Sequence, residues 1–171
     1  MIKLAALAGL VLSCGMLGLL KAETLKERIF LLEDFERMIL DLRSQMNYFR
    51  NPLVEIFKNT EKKGHTAAFS LIGETVQALE EKEGEISQIW AQKVEKLYRA
   101  TPLTAEDREV LASLGTFIGQ SDCENQQIGF QWLENQLHRQ MEEARNIYGQ
   151  KGPMYRRIGF FAGILAGLVL L

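Results

Sequence analysis

The residues that most often carry out chemistry are few in this chain and lie far apart in the sequence. The two histidines, His65 and His138, have no second histidine four residues away and no other partner at metal-ligand spacing. The two cysteines are isolated as well, because Cys14 lies in an apolar run and Cys123 in a charged segment. We therefore interpret both histidines as surface residues and expect no disulfide between the cysteines.

Patterns for a nucleophile or for phosphate binding are also missing from the sequence. Neither Ser13-Cys14 nor Ser121-Asp122-Cys123 forms the nucleophile-and-base set that covalent catalysis needs. No glycine-rich phosphate loop of the Walker type occurs, so we do not expect the chain to bind a nucleotide by itself. The sequence thus predicts a protein that is not an enzyme and that holds no metal or other cofactor.

The densest group of ionisable side chains is an acidic turn formed by Glu80, Glu81, Glu83 and Glu85. These carboxylates could bind a cation or a basic patch on a partner protein, or they could form a solvated turn. The segment 22–155 around them contains 22 acidic and 16 basic residues, which gives a net charge of −6. This balance argues against nucleic-acid binding, because neutralising phosphates requires a basic surface.

Two stretches near the ends, residues 4–20 and 158–171, contain no charged residue. As helices they would span about 25 Å and about 21 Å, and snorkelling lysine and arginine side chains could extend both towards the ~30 Å of a bilayer core. We predict an uncleaved transmembrane anchor in residues 1–21, a helical domain in residues 22–153 and a second anchor in residues 154–171. More basic residues flank the inner ends of the two runs than the outer ends, which predicts that the domain faces the cytoplasm.

Each anchor leaves an alternative open. The first run could be a cleaved secretory signal, although no small-x-small site follows it, or a lipoprotein signal, since residues 11–14 loosely resemble a lipobox ending at Cys14. In the last run Gly159, Gly163 and Gly167 repeat every fourth residue, a ridge that would let another membrane helix approach closely. Simple tolerance of glycine in membrane helices explains the same repeat.

Between the anchors, apolar residues recur at spacings of three and four, which predicts helices with one buried face. The first stripe, Leu25 to Met46, approaches a heptad pattern, so it could form a coiled coil or pack on its own bundle. Helix boundaries are predicted at caps and breakers: Asn51-Pro52, Lys63-Gly64, Thr66, Gly84, Thr101-Pro102, Thr104, Gly119, Ser121-Asp122-Cys123-Glu124 and Gly152-Pro153. The predicted fold is all-α, an antiparallel bundle of about six helices flanked by membrane helices.

The fifth and sixth predicted helices contain a recognisable pattern, Leu-Gly-x-x-x-Gly-x-x-Asp-x-x-x-Gln-x-Ile. Its residues are Leu114, Gly115, Gly119, Asp122, Gln126 and Ile128. Asp122 and Gln126 lie one turn apart on one helix face. They could form a local cap and a polar contact between helices, or they could form a partner site. Together with Asn51-Pro52-Leu53, the chain length and the two anchors, the pattern resembles the stage III sporulation protein AB family of endospore-forming bacteria, over essentially the entire chain.

This resemblance implies a cytoplasmic domain similar to that of the platform (F) proteins of type II secretion and type IV pilus machines. It also implies a place in the mother-cell membrane around the forespore, in a complex thought to form a channel, with a secretion-type ATPase and other membrane subunits as partners. Platform proteins usually carry two such domains, so a platform role here would need self-association, as a homo-oligomer, or other subunits. The alternatives are a membrane-anchored regulator or adaptor that binds a soluble signalling partner, and a membrane-bound enzyme with an unrecognised site.

Overall fold

The computed structural model describes residues 2–48, 52–81, 84–118 and 123–169, with side chains for 13, 15–46, 52–81, 84–118, 125–159, 161–162 and 165. Six α-helices account for most of this chain, and none of its described residues lies in a strand. The helices are α1 (Ile2–Tyr48), α2 (Leu53–Glu61), α3 (Ala67–Glu80), α4 (Ile86–Ala100), α5 (Ala105–Ile118) and α6 (Cys123–Val169). The prediction of an all-α fold with six helices is confirmed.

The chain divides into a terminal unit, Met1–Ile29 with Glu142–Leu171, and a central unit, Phe30–Met141. In the central unit each helix buries one apolar face, as its spacing predicts. Leu32, Phe35, Ile39 and Leu42 of the α1 stripe are buried inside this unit, which favours packing on its own bundle over a separate coiled coil. The largest fully buried side chains are Trp90, Phe35, Phe57, Phe130, Leu32, Met38, Ile39, Leu42, Ile72, Leu111, Leu114 and Leu133.

Local capping chemistry defines the start of α5. The Asp107 amide donates to the Thr104 hydroxyl at 3.2 Å, and the Thr104 amide donates to the Asp107 carboxylate at 2.8 Å. This reciprocal capping box satisfies two amide groups that the first helical turn leaves without partners, and it confirms Thr104 as the cap. Thr66 also stands at a cap position, before α3, but its side chain makes no capping hydrogen bond.

Two proline predictions need correction. Pro52 occupies the cap position of α2 rather than its first turn. Its φ of −54°, set by the ring, suits either position, but its extended ψ of 142° leaves it outside the helix. Asn51, the predicted cap, lies outside the described residues. Gly152-Pro153 does not end α6, because Pro153 lies inside a helix of 47 residues. An interior proline removes the helix hydrogen bond of its own nitrogen and its ring crowds the carbonyl four residues earlier, yet here the helix continues on both sides.

In the terminal unit, α1 and α6 approach closely at glycine residues. A Cβ atom added at Gly18 would lie 2.5 Å from the Tyr155 carbonyl oxygen and 3.1 Å from the Gly159 Cα. Glycine at position 18 is therefore what permits this separation between the backbones. Gly163 and Gly167, the rest of the predicted ridge, are described only as backbone.

The predicted flanking membrane helices are not seen. Within the described part of the chain, no helix has both the length and the apolar character that crossing a membrane requires. The side chains of residues 2–12, 14, 160, 163–164 and 166–169 in the two predicted anchors lie outside the described set.

Candidate partner-binding surfaces

The predicted acidic turn joins α3 to α4. Glu80 is the last residue of α3, and Glu85 directly precedes α4. Between them Gly84 adopts a φ of +143°, a backbone conformation that a residue with a side chain rarely takes, so the glycine permits the turn. Glu81 and Glu85 are both exposed, and Glu83 lies outside the described residues.

Part of this acidic turn is already paired within the domain. Glu80 forms an ion pair with Lys58 of α2. The Gln77 amide donates to the Glu81 carboxylate at 3.0 Å, one helical turn away. Glu80 therefore has a lysine beside it at the surface. Glu81, by contrast, contacts a neutral amide rather than a cation.

A groove of about 540 Å³ runs beside the turn, between α2 and α3. Its lining alternates in charge and comprises Lys58, Glu61, Lys62, Ser70, Gly73, Glu74, Val76, Gln77 and Glu80. On the α4 side, Glu74 lies between Lys96 at 3.1 Å and Lys93 at 3.7 Å. The sequence analysis did not predict this band of mixed charge. The two residues of each ion pair are about twenty positions apart and meet only when α2, α3 and α4 pack.

A second charged cluster joins α4 and α5. The Arg99 guanidinium, which donates to Glu95 at 2.9 Å, holds the pKa of that carboxyl below its usual value, and Arg108 adds to the effect at 3.2 Å. Arg108 also lies over the Tyr98 ring, 5.4 Å from its centre. Since Glu95, Arg99 and Arg108 are partners of one another, this charged cluster serves the packing of α4 against α5.

The residues of the family pattern divide between core and surface. Leu114 is fully buried, and a Cβ atom added at Gly115 would lie 3.1 Å from the Trp90 side chain. The Gln126 amide donates to the carbonyl of Ile118, the last residue of α5, at 3.3 Å, so it links α6 to the end of α5. Ile128 is 58% exposed. Gly119 and Asp122 lie outside the described residues.

The histidines and carboxylates do not come together as a metal site in the part of the structure that is described. No group of three or more histidine, cysteine, aspartate or glutamate side chains there could hold an ion. His65 and His138 are both at the surface. The surface described so far with most to offer a partner is therefore the acidic turn with its groove.

Comparison with known protein families assigns the chain to one of them. The profile of the family described as stage III sporulation protein AB matches residues 3–171. The chain belongs to this family. A stage III sporulation protein AB from Bacillus subtilis (strain 168) is 22% identical over 171 residues, which are the full length of both chains.

Structural comparison agrees at the level of the fold. A solved structure of a stage III sporulation protein AB superposes with a TM-score of 0.65 at 19% identity, covering 71% of this chain and 96% of that one. The family resemblance predicted from the sequence is thus confirmed. This chain and that solved structure share the helical fold.

Within this family member, one surface feature was not anticipated from the sequence, where Ile128 was named only as part of the family pattern. Ile128 and Trp132 are 58% and 47% exposed, on the side of α6 away from its buried residues Phe130, Leu133 and Leu137. The sequence could have revealed this feature, because Ile128 and Trp132 lie outside the apolar stripe of α6. Large apolar side chains at a surface are common singly, whereas two on adjacent turns of one face need a reason.

Proposed function

We propose that this sporulation protein is a non-catalytic membrane scaffold of a secretion-like complex between mother cell and forespore. In this role the central unit docks a secretion-type ATPase and couples it to membrane subunits through the two terminal anchors. The observation that carries the proposal is the combination of the family assignment with an outward-facing acidic turn. The chain has no phosphate loop of its own, so nucleotide energy would have to come from such a partner.

Membrane anchorage is supported by the surface of the terminal unit. Four apolar side chains of α6 recur at spacings of four, three and four and are exposed: Met154, Ile158, Phe161 and Leu165. Arg156 and Arg157, also exposed, lie at the start of this stripe. An apolar stripe beside arginine side chains suits a helix that enters a bilayer with its basic residues at the head groups.

The proposed topology places residues 22–155 in the cytoplasm and both termini on the other side. The test is labelling of intact vegetative cells that express the chain, in which the reagent reaches the outer face of the cell membrane, with a membrane-impermeant thiol reagent and single-cysteine variants in a Cys14→Ser, Cys123→Ser background. Glu81→Cys is expected to stay unlabelled until the cells are opened, whereas a cysteine added before Met1 should react at once. Labelling of Glu81→Cys in intact cells would show that the orientation is wrong.

The docking surface proposed for the ATPase is the acidic turn, now defined as Glu81, Glu83 and Glu85 because Glu80 is occupied by Lys58. Its natural complement is a basic patch. Charges at the rim of an interface act mainly on the association rate and make it sensitive to salt. Glu81 and Glu85 are at the surface of the same turn and could contact such a patch without any rearrangement of the helices.

Charge reversal tests this surface. Changing the three carboxylates of the acidic turn to lysine is expected to slow association about tenfold at low salt, and the loss should shrink as salt screens the charges. The matched control reverses three exposed, scattered carboxylates, Glu55, Glu109 and Glu143, which changes the net charge equally. Binding kinetics of the purified full chain with the ATPase across a salt series provide the measurement.

The outcomes separate the proposed function from the proposed surface. If both variants bind as well as the wild type, docking uses another surface. If both lose affinity equally, net charge rather than position matters. If the wild-type chain brings down no ATPase with the other membrane subunits present, and instead retains a soluble signalling protein, the regulator alternative replaces the scaffold.

A further inference from the structure

We propose that α6 binds one anionic phospholipid within the terminal unit, with the headgroup phosphate in a basic cleft and an acyl chain in an apolar groove beside it. The basic cleft has a volume of about 250 Å³ and is lined by Tyr148, Gly149, Pro153, Arg156 and Arg157. The apolar groove has a volume of about 430 Å³ and is lined by Gln150, Pro153, Met154, Arg157, Ile158, Phe161, Ala162 and Leu165. Pro153 and Arg157 line both cavities, so the cleft and the groove adjoin along one helix.

The basic cleft exists because its floor has no side chain. Gly149 is exposed, and a Cβ atom added there would meet nothing within 4 Å, so the space above its backbone is open. Beside this space the Arg156 guanidinium donates to the Tyr148 hydroxyl at 3.3 Å. Since that hydroxyl accepts a hydrogen bond from arginine, its own proton is left to donate to an oxygen atom of a ligand. The cleft thus offers one hydroxyl and two guanidinium groups as donors.

The charge of this part of the chain indicates an anionic ligand. After Glu143 the sequence contains no further Asp or Glu but four basic residues, so residues 144–171 carry a charge of +4 in a chain whose total is −2. Among the side chains that the structure describes, no carboxylate forms an ion pair with Arg156 or Arg157, and both are exposed. Arginine binds a phosphate through two parallel N–H groups, a geometry that lysine does not offer. The chemistry that fits the cleft is therefore that of a phosphate.

The apolar groove indicates that this phosphate belongs to a lipid. Met154, Ile158, Phe161 and Leu165, which line the groove, are 43% to 65% exposed. From Met154 to Leu165 the helix rises about 16 Å, roughly half of the ~30 Å hydrocarbon core and thus the depth of one leaflet. The basic cleft precedes the groove along the helix, which is the order in which a bilayer presents head groups and acyl chains. A free phosphate would leave the groove empty. The inference rests on the membrane anchorage proposed above.

Native mass spectrometry of the full chain in mild detergent tests the site by counting bound molecules. The probes are phosphatidylglycerol, which is anionic, phosphatidylcholine, which is neutral overall, and glycerol phosphate, which has no acyl chain. We expect one phosphatidylglycerol to bind about tenfold more tightly than either of the others, or better. Phosphatidylcholine brings a cation towards two arginine residues, and glycerol phosphate makes no contact with the groove.

Two double variants locate the headgroup. Arg156→Gln with Arg157→Gln removes both guanidinium groups and should weaken phosphatidylglycerol binding about tenfold or more, because hydrogen bonds to charged groups are strong. The matched control is Lys21→Gln with Lys151→Gln, which removes the same charge from two exposed residues of the terminal unit that line neither cavity. It should weaken binding less than about twofold, because exposed charges outside the site act only through a screened field.

A glycine variant tests the cleft without changing any charge. Gly149→Leu fills the open space and should weaken phosphatidylglycerol binding about fivefold or more, since the headgroup can no longer reach the floor. Gly15→Leu in α1 is its control, because a Cβ atom added at Gly15 also meets nothing within 4 Å. This control should bind as the wild type does.

Each outcome decides the proposal. Equal losses in the two double variants overturn it, because net charge then explains the binding, and so does wild-type affinity in Gly149→Leu. Glycerol phosphate that binds as tightly as phosphatidylglycerol would show a site for free phosphate and overturn the lipid. Carbonate extraction of membranes separates this inference from the anchorage: an embedded chain with no preference for phosphatidylglycerol overturns only the headgroup site, whereas a chain released by carbonate overturns the anchorage and the lipid site with it.

Discussion

Replacing Leu114 with aspartate is expected to unfold the central unit, at a cost of about 4 kcal/mol or more. Leu114 is fully buried in α5, among the largest side chains of the core. The substitution removes the packing of a leucine and places a carboxylate where water cannot reach it. Since domains are stable by only about 5–15 kcal/mol, this loss should take away most of the native population.

Thermal unfolding of the full chain in mild detergent, followed by circular dichroism, provides the measurement. Leu114→Met keeps the volume and the apolar character and should cost less than about 1.5 kcal/mol. Glu81→Ala, at the exposed acidic turn, should change stability by no more than about 0.5 kcal/mol. A melting curve of Leu114→Asp that overlays the wild-type curve would show that the assigned face of α5 is wrong.

Replacing Gly115 with leucine is expected to destabilise the central unit by about 3 kcal/mol. A Cβ atom at this position would lie 3.1 Å from the Trp90 ring, 3.2 Å from the Trp90 Cβ and 3.3 Å from the Ser87 Cα. Trp90 is 1% exposed and donates its indole N–H to the Leu111 carbonyl at 2.8 Å, so it cannot move aside without losing that bond. The larger side chain therefore has to separate α4 from α5.

The matched control is Gly149→Leu in α6, where a Cβ atom would meet nothing within 4 Å. Leucine favours a helix over glycine by somewhat less than 1 kcal/mol, so this variant should be neutral or slightly more stable. Urea unfolding of both variants gives the comparison. Two equal midpoints would show that α4 and α5 are not in close contact at Gly115.

The elements that the sequence predicted correctly depend on residues close together in the chain. The cap predicted at Thr104 is completed by Asp107 three residues later, and the turn at Gly84 depends on the backbone of a single residue. Helical stripes likewise repeat every three or four residues. Where such local signals are decisive, the order and number of helices follow from the sequence alone.

Pro153 shows where a local signal was insufficient. A glycine followed by a proline is a common end of a helix, and the sequence prediction ended α6 there. The structure continues α6 to Val169, so this helix tolerates both the hydrogen bond that Pro153 lacks and the crowding that its ring causes. Whether a chain stops or continues at such a point depends on what the next turns pack against, which for Gly159 is Gly18 of α1.

The candidate surfaces depended even more on tertiary structure. The sequence by itself determined that the chain has an acidic turn, an all-helical domain, no phosphate loop and the family pattern. Only the packing of α2 against α3 decided that Lys58 pairs with Glu80, because charges about twenty residues apart have no fixed relation until the helices meet. The same holds for Ile128 and Trp132: their spacing is in the sequence, but which face of α6 is buried against the bundle, and hence which face is left to meet a partner, is set by the fold.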